Sequence, residues 1–216
     1  MNDYFTALLA ALLAGATHSA LAASAVDLSV KGNITPEACT PSLSNNGLVE
    51  YRKVSHQDLN VDRRTQLPDK TLDLTIQCDA PVRFGLLMRD NREGSALVNS
   101  QIYYGLNVDN SGNKIGVYSL HFDPASTTVD AWSQVYRTDS TTDGRAWSSS
   151  NSRSIPVASR SYLGFVDVVG STAGPIAIQN LTSRVTVETV IAPTSELDLS
   201  SDVRLDGSAT LDVVYL

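Results

Sequence analysis

The sequence predicts an all-β protein, a two-sheet sandwich, and three observations carry that prediction. Apolar residues recur with a period of two over many short runs, turn signals separate those runs, and no window after the first two dozen residues keeps a helical period. The runs come in order. Val26, Leu28 and Val30 alternate with Asp27, Ser29 and Lys31. Leu72, Leu74, Ile76 and Cys78 alternate with Asp73, Thr75 and Gln77, and Val82, Phe84, Leu86 and Met88 follow Pro81. Tyr118, Leu120 and Phe122 form another run, Val185 and Val187 a shorter one, and Ala209, Leu211, Val213 and Tyr215 the last. Each reads as a strand with one face in a core and one in water. Between them lie Asn45-Asn46-Gly47, Asn110-Ser111-Gly112-Asn113, Asp143-Gly144, Gly170-Ser171, Gly174-Pro175 and Asp206-Gly207. Residues 54–60 have room for one turn of helix. Residues 138–154, dense in Ser, Thr and Asp around Trp147, read as an exposed loop or an excursion between strands.

The N-terminus sets the expected compartment. Residues 8–16 are Leu and Ala with one Gly, an apolar run too short for the about 20 residues that cross a bilayer. Ala20-Leu21-Ala22 offers small residues for cleavage, so 1–22 reads as a secretory signal and 23–216 as one domain, with no later membrane span. Removal of Asp3, with no Lys or Arg, takes the net charge from −7 to −6. An acidic chain without a Lys/Arg run makes nucleic acid an unfavoured partner. In an exported chain, Cys39 and Cys78 read as a disulfide, which would stabilise the fold by about 4 kcal/mol in the chain-entropy model.

Chemistry is sparse. The mature chain keeps two histidines. His56 sits in a polar segment, and His121 lies on the polar side of its strand. No nucleophile elbow, paired-His metal motif or phosphate loop occurs. Residues 109–113 are rich in oxygen atoms, yet they read as hairpin chemistry rather than a calcium loop. The expectation is therefore no enzyme, no metal and no cofactor. Trp132 and Trp147 leave open an adhesin or lectin reading, in which they stack on a sugar.

The C-terminal strand points to assembly. Ala209-Thr210-Leu211-Asp212-Val213-Val214-Tyr215-Leu216 alternates to the last residue, as suits either the strand that closes a sheet or one that pairs with another protein. Together with Val26 to Cys39, Leu74-Thr75-Ile76-Gln77-Cys78 and their spacing, it resembles the chaperone–usher pilins of bacteria. More closely, the chain is similar to a family of uncharacterised fimbrial-like exported proteins, the domain of unknown function 1120 type. That likeness is carried by Ile34-Thr35-Pro36-Glu37-Ala38-Cys39-Thr40-Pro41-Ser42-Leu43-Ser44-Asn45, Gln77-Cys78-Asp79-Ala80-Pro81, Asp90-Asn91-Arg92 and Leu205-Asp206-Gly207-Ser208-Ala209-Thr210-Leu211.

The resemblance implies an immunoglobulin-like (pilin-type) sandwich lacking its last strand. A periplasmic pilus chaperone would lend a strand in transit, and another fimbrial subunit would replace it at an outer-membrane usher. The protein would pass through the periplasm to the cell surface as part of a fimbrium, or be secreted. In that scheme Ala209, Leu211, Val213, Tyr215 and Leu216 contact the partner strand or chaperone, with Leu211, Val213 and Tyr215 lining its groove. Cys39 and Cys78 staple the first strand to the sheet. Val26, Leu28 and Val30 serve either as a donor strand or as the domain's own first strand.

Overall fold

The computed structural model describes residues 28–32 and 38–216. The expected signal at 1–22 and Val26 lie outside the described residues. Residues 28–32 belong to no strand, and Leu28 and Val30 are 90% and 89% exposed. From Pro36 onward the chain forms one compact unit, and it is all β.

Two antiparallel sheets make a sandwich. The first carries β1 (Cys39–Leu43), β3 (Lys70–Val82), β9 (Ile178–Ile191), β6 (Gly116–Val129) and β5 (Tyr104–Gly105) in that order, with the short β2 (Thr65–Gln66) also paired to β9. The second runs β10 (Ala209–Tyr215), β4 (Phe84–Asp90), β8 (Tyr162–Val166) and β7 (Tyr136–Ser140). Chain direction explains the division. β3 and β4 are consecutive but lie in different sheets, and the crossing falls at Arg83, which splits the run Val82 to Met88 that the sequence reads as one strand.

Alternation places the core as expected. Leu72, Leu74, Ile76 and Cys78 of β3 face Phe84, Leu86 and Met88 of β4, and Leu120, Phe122, Val185 and Val187 join the same cluster. Full burial of each large apolar side chain contributes about 1.5–3 kcal/mol. Proline dictates where the ladders break. Pro81 and Pro124 have no N–H to donate, and each lies inside a bulge, between Gln77 and Val82 in β3 and between Phe122 and Thr127 in β6.

Two readings of the polar stretches are refined. Residues 56–58 form a single 3-10 turn, as the sequence allowed for 54–60. The stretch at 138–154 is only partly an exposed loop. Thr138 and Ser140 are buried in β7, and the segment after them folds back across the second sheet. There the Trp147 ring lies over Gly85 and beside Tyr162, and Gly174 holds a positive φ where a Cβ would fall 2.6 Å from the indole. Arg137, fully buried, forks onto the Asp139 carboxylate and donates to the Ile155 carbonyl, which fastens the excursion's far end.

The disulfide joins directly opposed residues. Cys39 and Cys78 are register partners with a Cα–Cα distance of 3.9 Å, so the bond pins the edge strand β1 at one end. With a sequence separation of 39, it should stabilise the fold by about 4 kcal/mol. A Cys39→Ser/Cys78→Ser double variant is expected to melt well below the parent protein and to be insensitive to reductant, whereas the parent's melting point falls when dithiothreitol is added.

Candidate functional site: an apolar groove beside a free strand edge

Hydrogen-bond alternation decides which way the edge strand β10 faces. Asn91 N–H donates to the Ser208 carbonyl and Leu216 N–H to the Arg83 carbonyl, which places 208, 210, 212, 214 and 216 on the β4 side. Ala209, Leu211, Val213 and Tyr215 therefore turn their N–H and C=O groups to the opposite edge. Among the described residues none of these groups has a main-chain partner.

Beside that edge lies a cavity of about 300 Å³. One wall is Leu43, Gly47, Leu48, Val49 and Tyr51, and the other is Leu205, Gly207, Ser208, Ala209 and Leu211. Its floor is the core itself: Met88, Leu120, Phe122, Val185 and Val187 line it while staying buried. The two sheets thus leave an apolar groove between their edges on one side. Leu48, 58% exposed, forms a lip. The wall at 48–51 belongs to no regular element and is held by the Tyr51 hydroxyl, which donates to Thr189 Oγ1 at 3.0 Å. Burial raises the Tyr51 phenol above its ordinary pKa, against the effect of that hydrogen bond.

The other wall is clamped by the two segments that the sequence resemblance singled out. Arg92 Nη2 lies 2.9 and 2.8 Å from the two Asp206 carboxylate oxygens, its Nε donates to the Asp206 carbonyl, and Asn107 Nδ2 adds a bond of 3.1 Å. The Arg92 hydrogen bond, then that from Asn107, lowers the Asp206 pKa. Asp90 accepts the N–H groups of Arg92 and Gly105, and Asn91 Nδ2 donates to Ser208 Oγ and Thr210 Oγ1. Gly207 has to be glycine for space, since a Cβ there would lie 2.8 Å from the Tyr118 ring. This clamp sets where β10 begins.

The predicted partner-contact residues divide along the strand. Ala209 and Leu211 line the groove, and Val213 packs against the core beyond it. Tyr215 is 49% exposed and its hydroxyl accepts the Cys39 N–H at 2.8 Å, bridging the free edges of the two sheets. Leu216, 44% exposed, rests against Gly144 on the outer face.

The chemistry-bearing residues do not converge on this groove. His56 is exposed. His121 is more enclosed than its strand position suggested, with 14% of its side chain exposed. Its Nε2 approaches both Ser119 Oγ (3.1 Å) and Glu188 Oε2 (3.4 Å). A nucleophile–base–orienter relay needs the acid on the other ring nitrogen, so this trio is not one. Trp132 and Trp147 are each half-buried, the first against the core and the second on Gly85.

Asp109 organises the loop at 109–113. Its carboxylate accepts from the N–H groups of Ser111, Asn113 and Asp198 and from Asn113 Nδ2. Burial opposes its charge, but those bonds, led by the Asp198 N–H, hold the pKa down to about 2. Both oxygens are committed to N–H donors, which is a loop anchor rather than a cation site.

The fold and groove together define an all-β sandwich with an apolar groove beside a strand edge that has no main-chain partner among the described residues. Residues 28–118 match the family described as protein of unknown function (DUF1120), so the resemblance read from the sequence holds at the level of that family. The chain is also similar to Protein GltF of Escherichia coli K12, 26% identical over 98% of this chain and 97% of that one. It is likewise similar to the uncharacterized protein YhcF of the same organism, 26% identical over 95% of this chain and 98% of that one.

The depressed Asp109 pKa has a definite sign. A carboxyl at about 2 when folded and about 3.9 when unfolded contributes stability above pH 4 that is lost as pH falls toward 2. Asp109→Asn should therefore lower the melting temperature at pH 7 and shrink its deficit against the parent near pH 2.5. A pH-independent deficit would count against the anchor.

Proposed function

We infer that this chain is a fimbrial-like structural subunit, exported to the periplasm and assembled into a surface fibre by strand addition at the free edge of β10. The single observation that carries this reading is the coincidence of that edge with an apolar groove lined by core side chains. An incoming strand would pair with Ala209, Leu211, Val213 and Tyr215 along the edge. Its alternate side chains would point to the floor made by Met88, Phe122 and Val185. Each main-chain bond is worth about 0.5–1.5 kcal/mol net, and each large side chain buried adds about 1.5–3 kcal/mol. The side chains dominate affinity, and the main chain sets direction and register.

The same physics explains why such a subunit would travel with an escort. An unpaired edge beside an open core invites aggregation. A periplasmic chaperone would lend the missing strand, and at an outer-membrane usher another fimbrial subunit would replace it. Cleavage of residues 1–22 and closure of the Cys39–Cys78 bond both suit that route, since disulfides form in the periplasm. The exposed Leu28 and Val30 are side chains of the kind a donor strand carries.

Co-export with and without a pilus chaperone from the same organism tests the reading. The expected result is a soluble, cooperatively melting protein only as the chaperone complex, with Leu211→Arg abolishing complex formation. A stable, monodisperse monomer that melts cooperatively alone and ignores the chaperone would contradict it.

A further inference from the structure

The groove has two flanking strand edges, β10 and β1, and they are not equivalent. The Asp79 N–H donates to the Ala38 carbonyl, so residues 38, 40 and 42 face β3, and Cys39, Pro41 and Leu43 turn outward toward the groove. The Cys39 N–H is already spent on the Tyr215 hydroxyl, at 2.8 Å. Pro41 has no N–H. Among the described residues, that leaves Leu43 with the one N–H that β1 can offer a new strand. A ladder against β1 would lack its donor at two of three positions, whereas β10 offers an N–H and a C=O at all four of its outward positions.

We propose that strand addition at this groove is one-sided: the incoming strand hydrogen-bonds to β10 alone, and Tyr215 is the positioning residue that keeps it off β1. Its hydroxyl takes the place on the Cys39 N–H that a carbonyl of the added strand would occupy. The β1 side of the groove then acts through side chains only, chiefly Leu43 and Leu48. This rests on the strand-addition reading and specifies which edge carries it. The arrangement also follows from the disulfide. Because Cys39 is bonded to Cys78, its N–H is held at the edge and within reach of the Tyr215 ring.

Amide hydrogen exchange resolved by residue tests this, on the exported chain and on Tyr215→Phe, each with and without a synthetic peptide of residues 25–32. Phenylalanine keeps the ring and removes only the acceptor. In the parent protein the peptide should slow exchange at Leu211 and Val213 and leave Cys39 and Leu43 unchanged. In Tyr215→Phe without peptide, Cys39 should exchange roughly fivefold faster, the loss of one hydrogen bond, and with peptide it should regain protection. New protection at Cys39 or Leu43 in the parent overturns the one-sided proposal while leaving strand addition standing. An unchanged Cys39 rate in Tyr215→Phe overturns the role of the hydroxyl. Peptide-induced protection nowhere along β10 would count against strand addition itself, and this proposal would fall with it.

Discussion

The structure depends on a one-sided ladder. β10 is bonded to β4 along one edge and to no main chain among the described residues along the other. A strand in the middle of a sheet satisfies every backbone group, but an edge strand leaves half of them to solvent. Here the unsatisfied half also borders a groove whose floor is lined by the buried side chains of Met88, Phe122, Val185 and Val187. On the proposed reading, one added strand would serve both features. It would complete the ladder with its backbone and fill the gap with its side chains.

Holding such a gap open requires both walls to be anchored independently of whatever fills it. At the start of β10, Arg92 grips Asp206 with both a side-chain fork and a bond to the backbone carbonyl, and Asn91 fixes Ser208 and Thr210. At the other end the disulfide pins β1, and Tyr215 spans from β10 to Cys39. The irregular wall is tied to the first sheet through Tyr51 and Thr189. These contacts are polar or covalent, so they do not rely on burial within the groove itself.

Much of this was legible in the sequence, and the exceptions have physical causes. The alternation of β3, β9 and β10 revealed their buried faces because their other faces are more exposed, whereas β6 also buries Val117 and Ser119 on its second face. β8 was hidden: Tyr162, Leu163, Gly164, Phe165 and Val166 read as one unbroken run, since Trp147 and its excursion cover the outer face that would otherwise be polar. The second half of β7 reads as loop because Thr138 and Ser140 are polar, although hydrogen bonds make their burial tolerable. The sequence resemblance marked Asp90-Asn91-Arg92 and Leu205 to Ala209 as separate motifs. Only the fold brings them together as one clamp, with Ala209 opposite Asp90. Half of the groove had no signal, because the wall at 48–51 has no periodicity and is assembled by tertiary contact alone. The role of Tyr215 as a bridge to Cys39 is likewise invisible until both sheets are in place.

Photo-crosslinking in the producing cell tests the central claim most directly. A benzophenone amino acid at Leu211, in the groove wall, is compared with one at Thr75, on the outer face of the first sheet. Strand addition predicts a covalent adduct from position 211 whose partner, identified by mass spectrometry, is a periplasmic chaperone or a second copy of this chain, and no such adduct from position 75. Equal adducts from both positions, or none from Leu211 in a correctly exported and oxidised protein, would contradict the account.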